Sequence, residues 1–239
     1  MLSQTTPTEA RTPRRVRDDS IGTTRALLAG GIVAGPVFLI AALTQAVTRE
    51  GFDLRRHPIS LLSLGDLGWI QIANFVVTGA LCIGCAVGMR RVLRTGRGRV
   101  WGPRLVGALG VGLVMGGVFL ADAGAGFPPG APAGAPEQLS WHGLLHSVGP
   151  VLALDGMTIG CLVFARRFAA SRQWRWVAAA LSTAGSVIVL TFWPDLDGLS
   201  VRLVLASAIQ FAFLAALAAH LMAGLSATGR PSPPSRPAS

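Results

Sequence analysis

The sequence predicts an all-α polytopic membrane protein, a six-transmembrane-helix bundle with both termini in the cytoplasm. Three observations carry this expectation: an apolar bulk composition, six continuous apolar runs of membrane-crossing length, and arginines concentrated in alternate connections. Hydrophobic residues make up 51% of the 239-residue chain, charged residues 13%, and the mean hydropathy is +0.54. A soluble domain rarely combines these values, because it must cover its surface with polar side chains.

The apolar runs fall near residues 26–47, 69–89, 105–121, 144–165, 174–193 and 201–225. Each is close to the roughly 20 residues that a helix needs to cross a hydrocarbon core about 30 Å thick. Barrel strands are not expected, since they would alternate in polarity over short segments while these runs are continuously apolar. The spans define a membrane domain at 25–225. Polar tails at 1–24 and 226–239, one rich in Thr, Pro and Arg and the other in Pro and Ser, are expected to be disordered. Arg14 and Arg15 form a twin-arginine pair, but the apolar run after them is too long for a signal peptide and reads as an uncleaved first span.

Arginine placement sets the predicted orientation. One side carries seventeen: Arg11, Arg14, Arg15, Arg17 and Arg25 in the first tail, Arg90, Arg91, Arg94, Arg97, Arg99 and Arg104 in the second connection, Arg166, Arg167, Arg172 and Arg175 in the fourth, and Arg230 and Arg236 in the last tail. The other side keeps only Arg49, Arg55, Arg56 and Arg202, beside the acids Glu50, Asp53, Asp66, Asp122, Glu137, Asp195 and Asp197. The formal charge of +10 is thus distributed between spans and does not form the basic surface that nucleic acid requires. The expected partner is the lipid bilayer; protein partners are left open. All 21 basic residues are arginine, which reads as GC-rich coding and points to a bacterial cytoplasmic membrane.

Within the spans, Gly31 with Gly35 and Gly112 with Gly116 are spaced to place two glycines on one helical face, a packing signal. Pro36 is a candidate kink. Cys82 and Cys85 spell C-x-x-C, and with Cys161 they lie inside apolar runs, where small-residue packing is the expected role and not redox or metal chemistry.

Candidate functional residues gather on the predicted outer face. His142 and His146 open the fourth span at i and i+4, so both imidazoles share one helical face at a spacing suited to chelation. Asp122 closes the third span at the same level, and His57 lies in the first outer loop. The sharper reading is a divalent metal, zinc first, held by Asp122, His142 and His146 with His57 in reach and an open position for water. The plainer reading is a set of hydrogen bonds tying helix ends together at the membrane boundary. Between Pro58 and Gly68 the outer loop is unusually apolar and predicts a short helix lying in the interface or folding back over the bundle, ended by Gly65 and Gly68. Gln71 and Asn74 are expected to face the bundle interior. Asp155 sits about 20 Å deeper than His142 by the helical rise. An intramembrane carboxylate there implies a buried bond, with Gln210 as partner, or else a proton relay or ion path. His220 is expected to cap or snorkel.

The string His57-Pro58-Ile59-Ser60-Leu61-Leu62-Ser63-Leu64-Gly65-Asp66-Leu67-Gly68-Trp69, followed by Gln71, Asn74 and Phe75, resembles a bacterial integral membrane family, domain of unknown function 998. Asp122 before Gly126-Phe127-Pro128-Pro129-Gly130 and the later His142-Gly143-Leu144-Leu145-His146 extend the likeness over about 25–225. The resemblance implies a six-span bundle and no established activity. Three functions are therefore carried forward: a non-enzymatic membrane protein whose outer cluster binds a lipid headgroup, a partner or a metal; a metal-dependent lipid hydrolase using Asp122, His142 and His146 with Ser60 or Glu137 assisting; and a small-solute or proton-coupled transporter using Asp155.

Overall fold

The computed structural model describes residues 13–227 except 135, 137, 196 and 197, with side chains from Ser20 to Ser226. Its helices are α1 (Pro13–Thr48), α2 (Gly68–Val92), α3 (Trp101–Val118), α4 (Trp141–Pro150), α5 (Gly156–Ala170), α6 (Trp174–Thr191) and α7 (Leu199–Ala227). α4 and α5 are halves of one rod, joined by a π-helical turn at Val151–Asp155. Six rods are therefore long and apolar enough to cross a membrane, and the described residues contain no strand.

The rods exceed the apolar runs at several ends. α1 starts at Pro13 and not near residue 26, so the polar stretch before the first span continues the helix instead of forming a loose tail. Proline is well suited to the first helical turn, where its missing N–H is not needed. α7 likewise runs to Ala227, and the remainder of both predicted tails lies outside the described residues. The third rod is displaced toward its start, Trp101–Val118, because Leu120, Ala121 and Asp122 leave the helix to meet the fourth rod.

The rods pack mainly on their chain neighbours, and α7 returns to α1, closing a ring. Glycines set how closely they cross. A β-carbon on Gly79 would lie 2.6 Å from the carbonyl oxygen of Gly110, and one on Gly110 would lie 2.6 Å from that of Gly79. At such a crossing backbone meets backbone, and any side chain would force the helices apart. Gly112 and Gly149 make the same reciprocal contact between α3 and α4, with a β-carbon on Gly149 meeting the Gly112 oxygen at 2.8 Å. Of the predicted pairs, Gly31 faces Cys85 and Gly35 faces Phe211, so one motif serves two neighbours. The helix continues through Pro36. Cys82, Cys85 and Cys161 are free and buried in the apolar core.

Two ends can be told apart. The loop-rich end carries the connections at 49–67, 119–140 and 192–198, with exposed Trp69, Trp141 and Trp193 at the adjoining helix ends; the arginine-rich end carries exposed Trp101 and Trp174. Indole rings at both boundaries form the belts expected where hydrocarbon gives way to headgroups.

The fourth rod changes company along its length. α5 packs on both α3 and α6, whereas α4 takes its packing chiefly from α3. Pro150 cannot donate a hydrogen bond back to residue 146, and the backbone passes into the wide turn directly after it. A space inside the ring follows from this divergence at the loop-rich end.

Candidate functional site

His142, His146 and Asp122 lie together at the loop-rich end, with partners that residue types alone did not disclose. Ser140 is the hub. As N-cap of α4, its Oγ accepts from the Gly143 N–H at 3.0 Å and donates its own proton to Asp122 Oδ1 at 2.6 Å. The Ser140 N–H also donates to Asp122 Oδ2 at 2.9 Å. These two bonds, the hydroxyl's first, hold the Asp122 carboxyl below the usual carboxylate range, and the nearby His142 and His146 add to the effect. Gly143 makes room: a β-carbon there would collide with Asp122 Oδ2.

Each histidine is anchored through Nδ1 to a carbonyl at the end of α3. His146 Nδ1 lies 2.7 Å from the Phe119 oxygen, and His142 Nδ1 lies 3.0 Å from the Leu120 oxygen and 2.9 Å from Ser140 Oγ. A carbonyl only accepts, so Nδ1 carries a proton in both rings, and in the neutral ring Nε2 keeps a lone pair. The last carbonyls of a helix need donors from outside it, and the fourth rod provides them. His142 Nδ1 and Asp122 Oδ1 are 3.9 Å apart, with the serine hydroxyl mediating between them.

This arrangement is unlike the one a metal needs. Among the described residues no group of three His, Cys, Asp or Glu side chains could hold a metal ion. Both Asp122 oxygens accept from Ser140, and both Nδ1 atoms are turned to the α3 end. Ser140 is no nucleophile in this state either, because its proton is on the carboxylate side and its lone pairs face two donors. Glu137 lies outside the described residues.

His57 is buried and stands apart from this group. Its Nδ1 accepts from the Asp53 N–H at 2.9 Å and its Nε2 lies 2.9 Å from the Ala125 oxygen, so it is a neutral pin joining two connections. The short helix predicted in the apolar loop is a 3-10 helix, Ile59–Ser63, and Arg49 fixes it by donating to the Leu62 and Leu64 oxygens at 3.2 and 2.7 Å. The Arg49 guanidinium also lies over the Phe127 ring. Gly65 makes the turn after it with φ +73°, but Gly68 opens α2, where its bare face lets the Ser63 carbonyl approach.

Gln71 and Asn74 do face inward. Both are buried and accept or donate within a ladder in which Gln45 Nε2 reaches Gln71 Oε1 at 2.8 Å and Asn74 Nδ2 reaches the Phe38 oxygen at 3.1 Å. Asp155 departs from expectation: it is exposed on the outside of the rod, and Gln210 is not its partner. Gln210 instead donates to the Leu154 oxygen at 2.8 Å and to Thr158 Oγ1 at 3.1 Å, taking up a carbonyl in the wide turn. His220 packs its ring on Trp176, 4.7 Å between centroids.

Two hollows meet at this site. The upper, about 270 Å³, is lined by Asp122, Ser60, His146, Ser147 and Leu139 among others. The lower, about 120 Å³, lies within the ring and is walled by Phe38, Phe75, Leu113, Leu154, Leu203 and Ser207. Pro58, Ser60 and His146 belong to both walls. Sequence reasoning found Ser60 and His146 but missed Ser140, Gly143, Arg49 and the α7 residues. Only Ser140 left a signal, as a capping serine directly before the fourth run.

The family model described as protein of unknown function (DUF998) matches residues 32–223. The chain belongs to this family. No curated protein and no solved structure matches it. Membership and the six apolar rods together make it a multi-pass membrane protein of DUF998, with the matched stretch taking in part or all of every rod and the residues that line both hollows.

Proposed function

We propose that this DUF998 protein is a non-catalytic amphiphile-binding protein of the bacterial cytoplasmic membrane, with the loop-rich end outside and both termini inside. The observation that carries the reading is the pair of hollows sharing Pro58, Ser60 and His146: a largely apolar compartment at the boundary, edged by Asp122, Ser60, His146 and Ser147, adjoins a second apolar one inside the ring. A lipid headgroup suits the first and the start of its hydrocarbon tail suits the second. The lower space is about the size of an engineered cavity of roughly 150 Å³ that takes benzene, so it holds only the first few carbons of a chain. The rest of the tail leaves between α4 and α7, where the fourth rod diverges from its neighbours above the wide turn. The arginine asymmetry supports the orientation, and tryptophans at both ends support the span.

The test is to purify the protein in mild detergent and release bound molecules for native mass spectrometry. Wild type is expected to carry a stoichiometric amphiphile, and Leu203→Trp, which fills the lower hollow, is expected to lose it while remaining folded. Equal occupancy of both proteins, or no occupancy of either after reconstitution in total bacterial lipid, contradicts the proposal.

A further inference from the structure

We infer that the upper hollow selects a head group that donates hydrogen bonds and carries no negative charge, such as a glycerol or an amine, and rejects phosphate. This rests on the amphiphile reading above and specifies its ligand. Headgroup sites for phosphate are built from arginine or lysine and from the free N–H groups of a helix start. No arginine lines the upper hollow, and the chain has no lysine. Arg49, which holds the outer loop, spends its guanidinium on the Leu62 and Leu64 carbonyls and the Phe127 ring.

The start of α4 is also closed to an anion, because the protein has put its own carboxylate there. Asp122 accepts the Ser140 N–H and hydroxyl, while Ser140 Oγ accepts the Gly143 N–H. An incoming phosphate would find the Ser140 and Gly143 N–H groups occupied and a negative charge in place, which repels it.

What the hollow does present is acceptors. His146 offers the lone pair of Nε2, since its Nδ1 proton is committed to the Phe119 oxygen. Ser147 donates its proton to the Gly143 oxygen at 2.9 Å, which leaves its lone pairs outward. Asp122 adds the field of its charge. Among the described side chains of the wall, Ser60 alone keeps a proton that no neighbour takes up. A site richer in acceptors than donors pairs with a ligand of the opposite balance, and a mismatched ligand leaves buried groups unsatisfied at a cost.

The experiment uses the full chain reconstituted in nanodiscs and three amphiphiles of one chain length: dodecylglycerol, dodecylamine and dodecyl phosphate. Affinities are read by calorimetry after subtraction of partitioning into empty nanodiscs. Dodecylglycerol and dodecylamine are each expected to bind at least tenfold more tightly than dodecyl phosphate. Ser60→Arg, which places a cation in the wall of both hollows, is expected to raise dodecyl phosphate affinity at least tenfold and to narrow or reverse the order. Dodecyl phosphate binding to wild type as tightly as the others overturns the inference and leaves the amphiphile reading standing. Binding by none of the three to folded wild type overturns both, and a Ser60→Arg protein that binds all three with the wild-type order overturns the electrostatic argument.

Discussion

At the scale of single residues the site is organised by donors and acceptors more than by charge. Asp122 is the clearest case. Its folded pKa is lowered, first by the Ser140 hydroxyl and then by the Ser140 N–H. The carboxylate's contribution to stability is therefore complete above the ordinary carboxylate range and is lost as pH falls through the lowered folded value. Asp122→Asn should unfold more readily than wild type at neutral pH in thermal melts, and the gap should close as the buffer is taken into strong acid. A gap of constant size across that range contradicts the assigned bonds. The sequence made Asp122, His142 and His146 legible as neighbours, because spacing and loop length bring them to one level. It did not make their partners legible, because the acceptors at Phe119 and Leu120 are backbone carbonyls, common to every residue type.

Asp155 shows the same limit in another form. Its depth could be counted from the helical rise, but its facing depends on a π-helical turn, and Pro150 marks an interruption of the helix without saying how wide the following turn is. Exposed at mid-rod, it faces surroundings in which a carboxylate costs about 3 kcal/mol on insertion scales. Asp155→Leu is accordingly expected to leave the bundle's stability unchanged or raise it, measured by thermal inactivation of fold-specific fluorescence in nanodiscs. A marked loss of stability would place that side chain in an internal bond that the fold does not contain.

At the scale of elements, glycine crossings and a wide turn shape the ring. The crossing of α2 on α3 depends on Gly79 and Gly110, each with no space for a side chain. Gly185 in α6 faces open space, with nothing within 4 Å of where a β-carbon would stand. Gly110→Leu should therefore abolish the monodisperse folded protein in size-exclusion chromatography, and Gly185→Leu should elute as wild type. The i, i+4 rule found Gly112 and Gly116 but not the Gly79–Gly110 crossing, since its partners lie on different rods and each contributes one glycine. The 3-10 helix was readable from the apolar loop, whereas its fixation by Arg49 was not, because an arginine after a span ordinarily reads as a topological charge.

At the scale of the whole molecule, six apolar runs were enough to predict six rods, because the bilayer imposes their length. Their arrangement as a ring with a space near one end was not readable, since it follows from where α4 parts from α6 and α7. That space gives the account its central claim, an amphiphile held with its head beside Asp122 and His146 and its first carbons beside Leu113 and Leu203. The most direct measurement is photolabelling with a dodecylglycerol carrying a diazirine on its second tail carbon, followed by peptide mapping. The account predicts labels on Phe38, Leu113, Leu154 or Leu203 that disappear in Leu203→Trp; labels confined to exposed residues such as Ile40, Val111 and Ile159, and indifferent to that substitution, would contradict it.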